Sequence, residues 1–154
     1  MTNEPTHRAT LGSALAYKDP KAALRWLQEA LGFEPTMIIT DDAGNIAHSE
    51  MSLGDGYIMV GNEWADNIKS PANIGNANTQ TIHIQLNEDI DAHCERARKA
   101  GARILQEPED QFYGDRTYRL LDPEGHMWTL AQSVRVVPQS EWESATGLKV
   151  STSL

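Results

Sequence analysis

A single cysteine, Cys94, excludes an internal disulfide and any metal site built from several thiolates. A reducing, cytoplasmic setting is the simpler expectation for such a chain. Cations are scarce as well: 13 Lys and Arg stand against 22 Asp and Glu, for a net charge of −9. Binders of nucleic acid or anionic membranes need clustered Lys and Arg, so neither partner is expected. A local basic spot inside a pocket stays open. No apolar run approaches the ~20 residues of a membrane helix. The opening "MTNEPTHRAT" is too polar for the core of a signal peptide. No G-x-S-x-G, phosphate-binding loop or dinucleotide fingerprint is present.

What is there is a pattern that occurs twice. "LGSALAYKD" (residues 11–19) alternates like a strand, and "DPKAALRWLQEALGF" follows as a helix. Asp19 suits the N-cap, Pro20 the first helical position and Gly32 the stop. Leu24, Leu27 and Leu31 recur at helical spacing. Three strands are expected next, over 34–40, 46–53 and 57–61, with "DDAGN" and "GDG" as turns. The Asn-rich stretch 62–79 reads as a linker. Then "TIHIQL" alternates cleanly, with Ile82, Ile84 and Leu86 opposite Thr81, His83 and Gln85. "EDIDAHCERARKAG" gives a helix capped near Glu88 or Asp89, with Ile90, Cys94 and Ala97 on its buried stripe. Strands around 103–106, 117–121 and 127–132 complete the second round.

Gly32 and Gly101 are 69 residues apart, and so are Gly56 and Gly125 at the bends before the last strands. The same β-α-β-β-β order at one offset indicates an internal duplication. The expected units are a first module over 10–61, a linker over 62–79, a second module over 80–132 and a tail over 133–154. In the tail, Ser140 is a candidate cap for a short helical turn that Trp142 would dock, with mobile final residues.

Paired β-α-β-β-β units with "DPEGH" before the last strand resemble the vicinal oxygen chelate superfamily. "EDQFYGDRTYRLLDPEGHMWTLAQ" and "AHSEMSLGDGYIMVG" look like its glyoxalase/bleomycin-resistance/dioxygenase branch. The resemblance covers residues 10–132. It implies an α+β fold in which two tandem βαβββ modules form a curved mixed sheet around a cavity, with the helices on the convex side. It also implies a small-molecule ligand and a homodimer.

Enzymes of that superfamily bind a divalent metal through His, Gln or Glu side chains from the first and last strands of each module. The matching positions here read Gly12, Val60, Thr81 and Thr129. None carries a good donor for a transition metal. The expectation is therefore a small-molecule binder with no resident cofactor. The alternative is a lyase, isomerase or dioxygenase with a non-standard divalent-metal site or metal-free acid–base chemistry.

Seven residues are the candidates for ligand contact. His48 and Glu50 share one strand face, and His83 and Gln85 share another. They are either an unusual metal cluster or the polar lining of a wet cavity, and the lining is the simpler reading. The duplication places Arg119 on Glu50, so it is either an inward anchor for an anion or half of an Arg119–Glu50 ion pair. Trp64 and Tyr113 sit in loops that would edge the cavity mouth, as stacking surfaces or as plugs. Met37, Met51 and Met59 would supply apolar wall. His126 falls on the helix side and reads as a structural turn residue, and Arg116 as a loop anchor. Cys94 reads as a buried, unreactive thiol.

Overall fold

A computed structural model describes residue 5 and residues 7–154. The first half runs β1 (Gly12–Ala16), α1 (Pro20–Trp26), β2 (Glu34–Thr40), β3 (Ile46–Leu53) and β4 (Gly56–Gly61). The second runs β5 (Ile82–Leu86), α2 (Ile90–Lys99), β6 (Arg103–Asp110), β7 (Asp115–Leu121) and β8 (Met127–Ser133), and α3 (Gln139–Thr146) ends the chain. Each half is a four-stranded mixed sheet, ordered β1-β4-β3-β2 and β5-β8-β7-β6. The first strand of each sheet runs parallel to the last, and the remaining pairings are antiparallel. This is the expected tandem α+β arrangement, and the two sheets do not close into a barrel.

The helices form where their ends are chemically marked. Asp19 accepts a hydrogen bond from the Ala22 amide and Pro20 opens α1. The helix loosens into a π-helical turn at Leu27–Leu31, and Gly32 stops it in the left-handed region at φ +83°. Asp89 caps α2 by accepting from the Asp91 and Ala92 amides. The tail differs from expectation. Pro138 precedes α3, Ser140 lies inside the helix rather than at its cap, and α3 runs to Thr146.

Both helices lie on the same side of the sheets and share one core. Leu27, Ala30 and Leu31 are sealed together with Ile90, Cys94 and Ala97, and Phe33 meets the ring of Trp128 edge-on. Three hydrogen bonds, running in both directions, tie the helix ends across the halves. Trp26 Nε1 donates to the Ala100 carbonyl at 2.9 Å, and Arg96 donates to the carbonyls of Gln28 and Glu29. The Arg96 bonds reach the Glu29 carbonyl in the last helical turn and add a second donor to the Gln28 carbonyl, which also accepts from the Gly32 amide.

The "DPEGH" turn is a second junction. Asp122 is buried and accepts from Tyr17 Oη at 2.7 Å, from Trp128 Nε1 at 3.2 Å and from the amides of Glu124 and His126. Glu124 accepts from the amides of Lys18 and Asp19 and from Ser70 Oγ, and so clamps the corner between β1 and α1. His126 Nε2 lies 2.8 Å from the Ala16 carbonyl, and its ring packs on Tyr17. Three of the five motif residues thus hold the halves together, and His126 is structural.

Candidate functional site

Strand pairing decides which side chains share the sheet faces opposite the helices. Across the first sheet, Ala14, Met59, Glu50 and Met37 form one row. Across the second, His83, Thr129, Arg119 and Gln106 form the corresponding row. Three of the four matches, Ala14/His83, Glu50/Arg119 and Met37/Gln106, keep the 69-residue offset. The fourth, Met59/Thr129, is 70 residues apart.

The slip has a simple cause. Leu53 pairs with Gly56 across two turn residues, Gly54 and Asp55. In the second copy the Asp122 amide bonds the His126 carbonyl across three, Pro123 to Gly125. The Gly56/Gly125 match is therefore not a structural equivalence. One residue in register turns a strand over, which corrects one expectation: Val60 is sealed in the core rather than facing the cavity, and Met59 takes that place. Met51 is corrected for a different reason: it neighbours Glu50 on β3, so alternation turns it to the opposite face, where it is fully buried and supplies no pocket wall.

The corrected family metal positions read Gly12, Met59, Thr81 and Thr129. A thioether, two hydroxyls and a glycine do not fit a divalent transition metal. His48 and Glu50 lie together on one sheet while His83 lies on the other. Among the described residues no three His, Cys, Asp or Glu side chains gather in one place.

The edges of β1 and β5 approach one another, bridged by Gln80 Nε2 donating to Ser13 Oγ at 3.2 Å. Beside this seam runs an open groove of about 1180 Å³. Gly12 and Tyr57 line one bank, His83 and Gln85 the other, and Phe33, Ile58 and Ile84 form apolar floor. A cleft with apolar floor and few polar groups has the makeup of a small-molecule site.

On the open face of the first sheet, adjoining the Tyr57 bank rather than lining the groove, Glu50 is buried and ionically satisfied. Arg8 donates to its Oε1 at 2.6 Å, and His48 Nε2 lies 3.0 Å from its Oε2. The hydrogen bond from His48, and then the bond and charge of Arg8, hold the Glu50 carboxyl below the usual carboxylate range. Arg8 also lies over the Tyr57 ring, 3.8 Å from its centroid. On the second bank, His83 Nε2 lies 3.4 Å from Gln85 Oε1, and Gln85 donates to Ser133 Oγ. Arg119 donates to Thr129 Oγ1 at 3.3 Å.

Of the two readings of Arg119, the Arg119–Glu50 pair does not form: the two side chains stand on different sheets, Glu50 bonding Arg8 and His48 and Arg119 bonding Thr129. Strand phase correctly joins His48 to Glu50 and His83 to Gln85. It gives no hint of Arg8, which precedes the first strand and belongs to no periodic pattern. Trp64 is exposed and lines neither side of the groove. Tyr113 packs edge-on against Phe112 and Trp142, which places it as the anchor of α3. Arg116 does not serve the loop as expected: it sits at the start of β7 and ties it to Asp91 of α2 and Asp110 of β6.

This architecture recurs among known proteins. TioX from Micromonospora sp. ML1 is 29% identical and superposes with a TM-score of 0.64, over 84% of this chain and all of that one. TnmS3, an antibiotic-binding protein from Streptomyces sp. CB03234, shares the fold at 18% identity and a TM-score of 0.61, over 84% of this chain and 97% of that one. An uncharacterised protein of Mycobacterium bovis is 32% identical over 106 residues, 66% of this chain and 68% of its own length. Its Mycobacterium tuberculosis counterparts match equally well, with 61% of their length covered. The model of the glyoxalase/bleomycin resistance protein/dioxygenase superfamily matches residues 9–130, so the chain belongs to that superfamily.

Proposed function

We propose that this protein binds a small organic molecule in the groove beside the β1/β5 seam, without the metal that enzymes of the superfamily use. The observation that carries it is the groove itself: apolar floor, with Tyr57 on one bank and His83 and Gln85 on the other. The antibiotic-binding role of TnmS3 on the same fold supports the ligand class. The donor set at the superfamily's metal positions supports the metal-free form.

A catalytic version of the site would use Glu50 or His83 as base and Arg119 as anion holder. Glu50 is poorly suited to that work, because its lowered pKa makes it a weak proton acceptor at neutral pH. Binding is the reading that fits a carboxylate already satisfied by two partners. We place the protein in the cytoplasm, where a buried lone thiol stays reduced. No helix among the described residues is long and apolar enough to cross a membrane. We further assign a homodimer, since Met37, Ile38 and Ile39 on the edge strand β2 are all about half exposed.

Native mass spectrometry of the protein from its own cell extract tests the binding. A stoichiometric low-mass adduct, released on denaturation and weakened in Gln85→Ala, is expected. A protein that carries no adduct and takes up none from extract overturns the reading. Stoichiometric Zn, Ni, Mn or Fe would overturn its metal-free part.

A further inference from the structure

We propose that Glu50 and Tyr57 form a receptor for a cationic group on the ligand, a guanidinium or alkylammonium, and that Arg8 fills it in the free protein. This rests on the groove being a small-molecule site and names the ligand chemistry of one bank.

The receptor is built rather than incidental. Glu50 points its carboxylate from the middle of a sheet, with its side chain only 10% exposed. Tyr57 presents a ring face beside it. A β-carbon at position 12 would collide with that ring, so glycine there is what lets the ring lie over β1. A carboxylate next to an aromatic face is the arrangement that recognises organic cations. The guanidinium of Arg8 sits in it, bonded to Glu50 at 2.6 Å and 3.8 Å from the ring centroid.

Arg8 behaves as a tethered occupant. It lies outside any strand or helix, and its side chain is 52% exposed even while bound. Neighbouring Leu11 is 85% exposed, so little packing pins the arm. Arg8 is also a poor receptor for an anion, since Glu50 already neutralises it. A free cation would replace Arg8 contact for contact, and the chain's net charge of −9 favours its approach. A tethered competitor lowers the apparent affinity by the fraction of time the site is left open.

The probe is benzylguanidinium, titrated into the full chain and followed by NMR shifts of the Met59 methyl group and the Tyr57 ring. Benzylurea, neutral and of the same shape, and benzylsulfonate, an anion, are the controls. Arg8→Ala is expected to tighten benzylguanidinium by about 10-fold, as for an arm that occupies the site nine-tenths of the time. Glu50→Gln in the Arg8→Ala background should remove that gain, and so should Tyr57→Leu should the glutamine variant fold poorly. The two controls should show no gain. Unchanged or weaker benzylguanidinium binding in Arg8→Ala overturns the proposal, as does an equal gain for benzylurea or benzylsulfonate. If a neutral or anionic compound from cell extract still fills the groove, only the cation receptor falls. If nothing binds by either route, the small-molecule reading falls with it.

Discussion

The ring of Tyr57 lies over the backbone of Gly12, well inside the contact distance that a β-carbon on residue 12 would need. The two residues are also register partners of the parallel pair β1–β4. Gly12→Ala must therefore push the ring outward or shift β1. The atoms met are the far end of a half-exposed tyrosine that can swing aside, so the cost sits at the low end of overpacking, about 1 kcal/mol. Urea denaturation should show a loss of that size, and Tyr57→Ala in the same chain should recover part of it. Additive losses in the double variant would show that the two positions are independent.

Asp122 collects four donors in a buried place: Tyr17 Oη, Trp128 Nε1 and two backbone amides. Deleting the carboxylate strands all of them, and each buried unsatisfied polar group costs roughly 1–3 kcal/mol. Asp122→Ala should be among the most destabilising single changes, by at least ~3 kcal/mol. Asp122→Asn keeps one acceptor oxygen and should cost less. A midpoint shift in denaturant at unchanged slope is the measurement, and equal losses for the two variants would contradict the account.

Burial pushes the Cys94 thiol up to about 11, and the side chain is only 1% exposed. Both keep the thiolate scarce near neutral pH. Cys94 should resist a disulfide reagent at pH 8 in the native protein and react at once in denaturant. Fast native labelling would place the thiol in a locally opening segment.

His93 is buried between α2 and β7, and desolvation lowers its pKa. Its Nδ1 lies 2.6 Å from Tyr118 Oη, while Nε2 finds no partner. The unfolded chain takes up a proton near ~6.5, whereas the folded chain holds off until a lower pH. Stability is therefore full above about 6.5 and falls as the pH drops through the folded value. His93→Gln should flatten that part of the stability curve, and an unchanged slope between pH 7 and 5 would contradict it.

Glu50 adds its own dependence at lower pH. His48 and Arg8 lower its pKa in the folded state, so its contribution is present above the ordinary carboxylate value of ~4.3 and lost as pH falls through the folded one. Arg8→Ala should remove part of this at pH 7, and its cost should shrink as the pH falls through the folded carboxyl's titration. A stability difference between the two proteins that does not shrink as the pH falls would rule out an ionic origin.

Much of this molecule could be read from sequence because it depends on neighbours along the chain. Asp19, Pro20 and Gly32 mark α1 by local backbone chemistry, and Ile82, Ile84 and Leu86 mark a buried strand face by alternation. The same alternation joins His48 to Glu50 and His83 to Gln85, since residues two apart on a strand must share a face. Repetition at one offset identified the tandem architecture.

Other features depended on contacts that no local pattern encodes. One added residue in the β7–β8 turn breaks the 69-residue correspondence at the last strand, so the counterpart of Thr129 is Met59 on the open face, and Val60 belongs to the core. The ionic partner of Glu50, Arg8, also lay beyond reach. Whether a carboxylate on one strand meets Arg119 or Arg8 depends on how an arm and two sheets lie in space, and Arg8 sits 42 residues away in sequence. Local periodicity determined the elements and their faces, because those follow from steric rules of the backbone. Tertiary packing decided the register between strands and the company each charged group keeps, because both are settled by distances between parts of the chain remote in sequence.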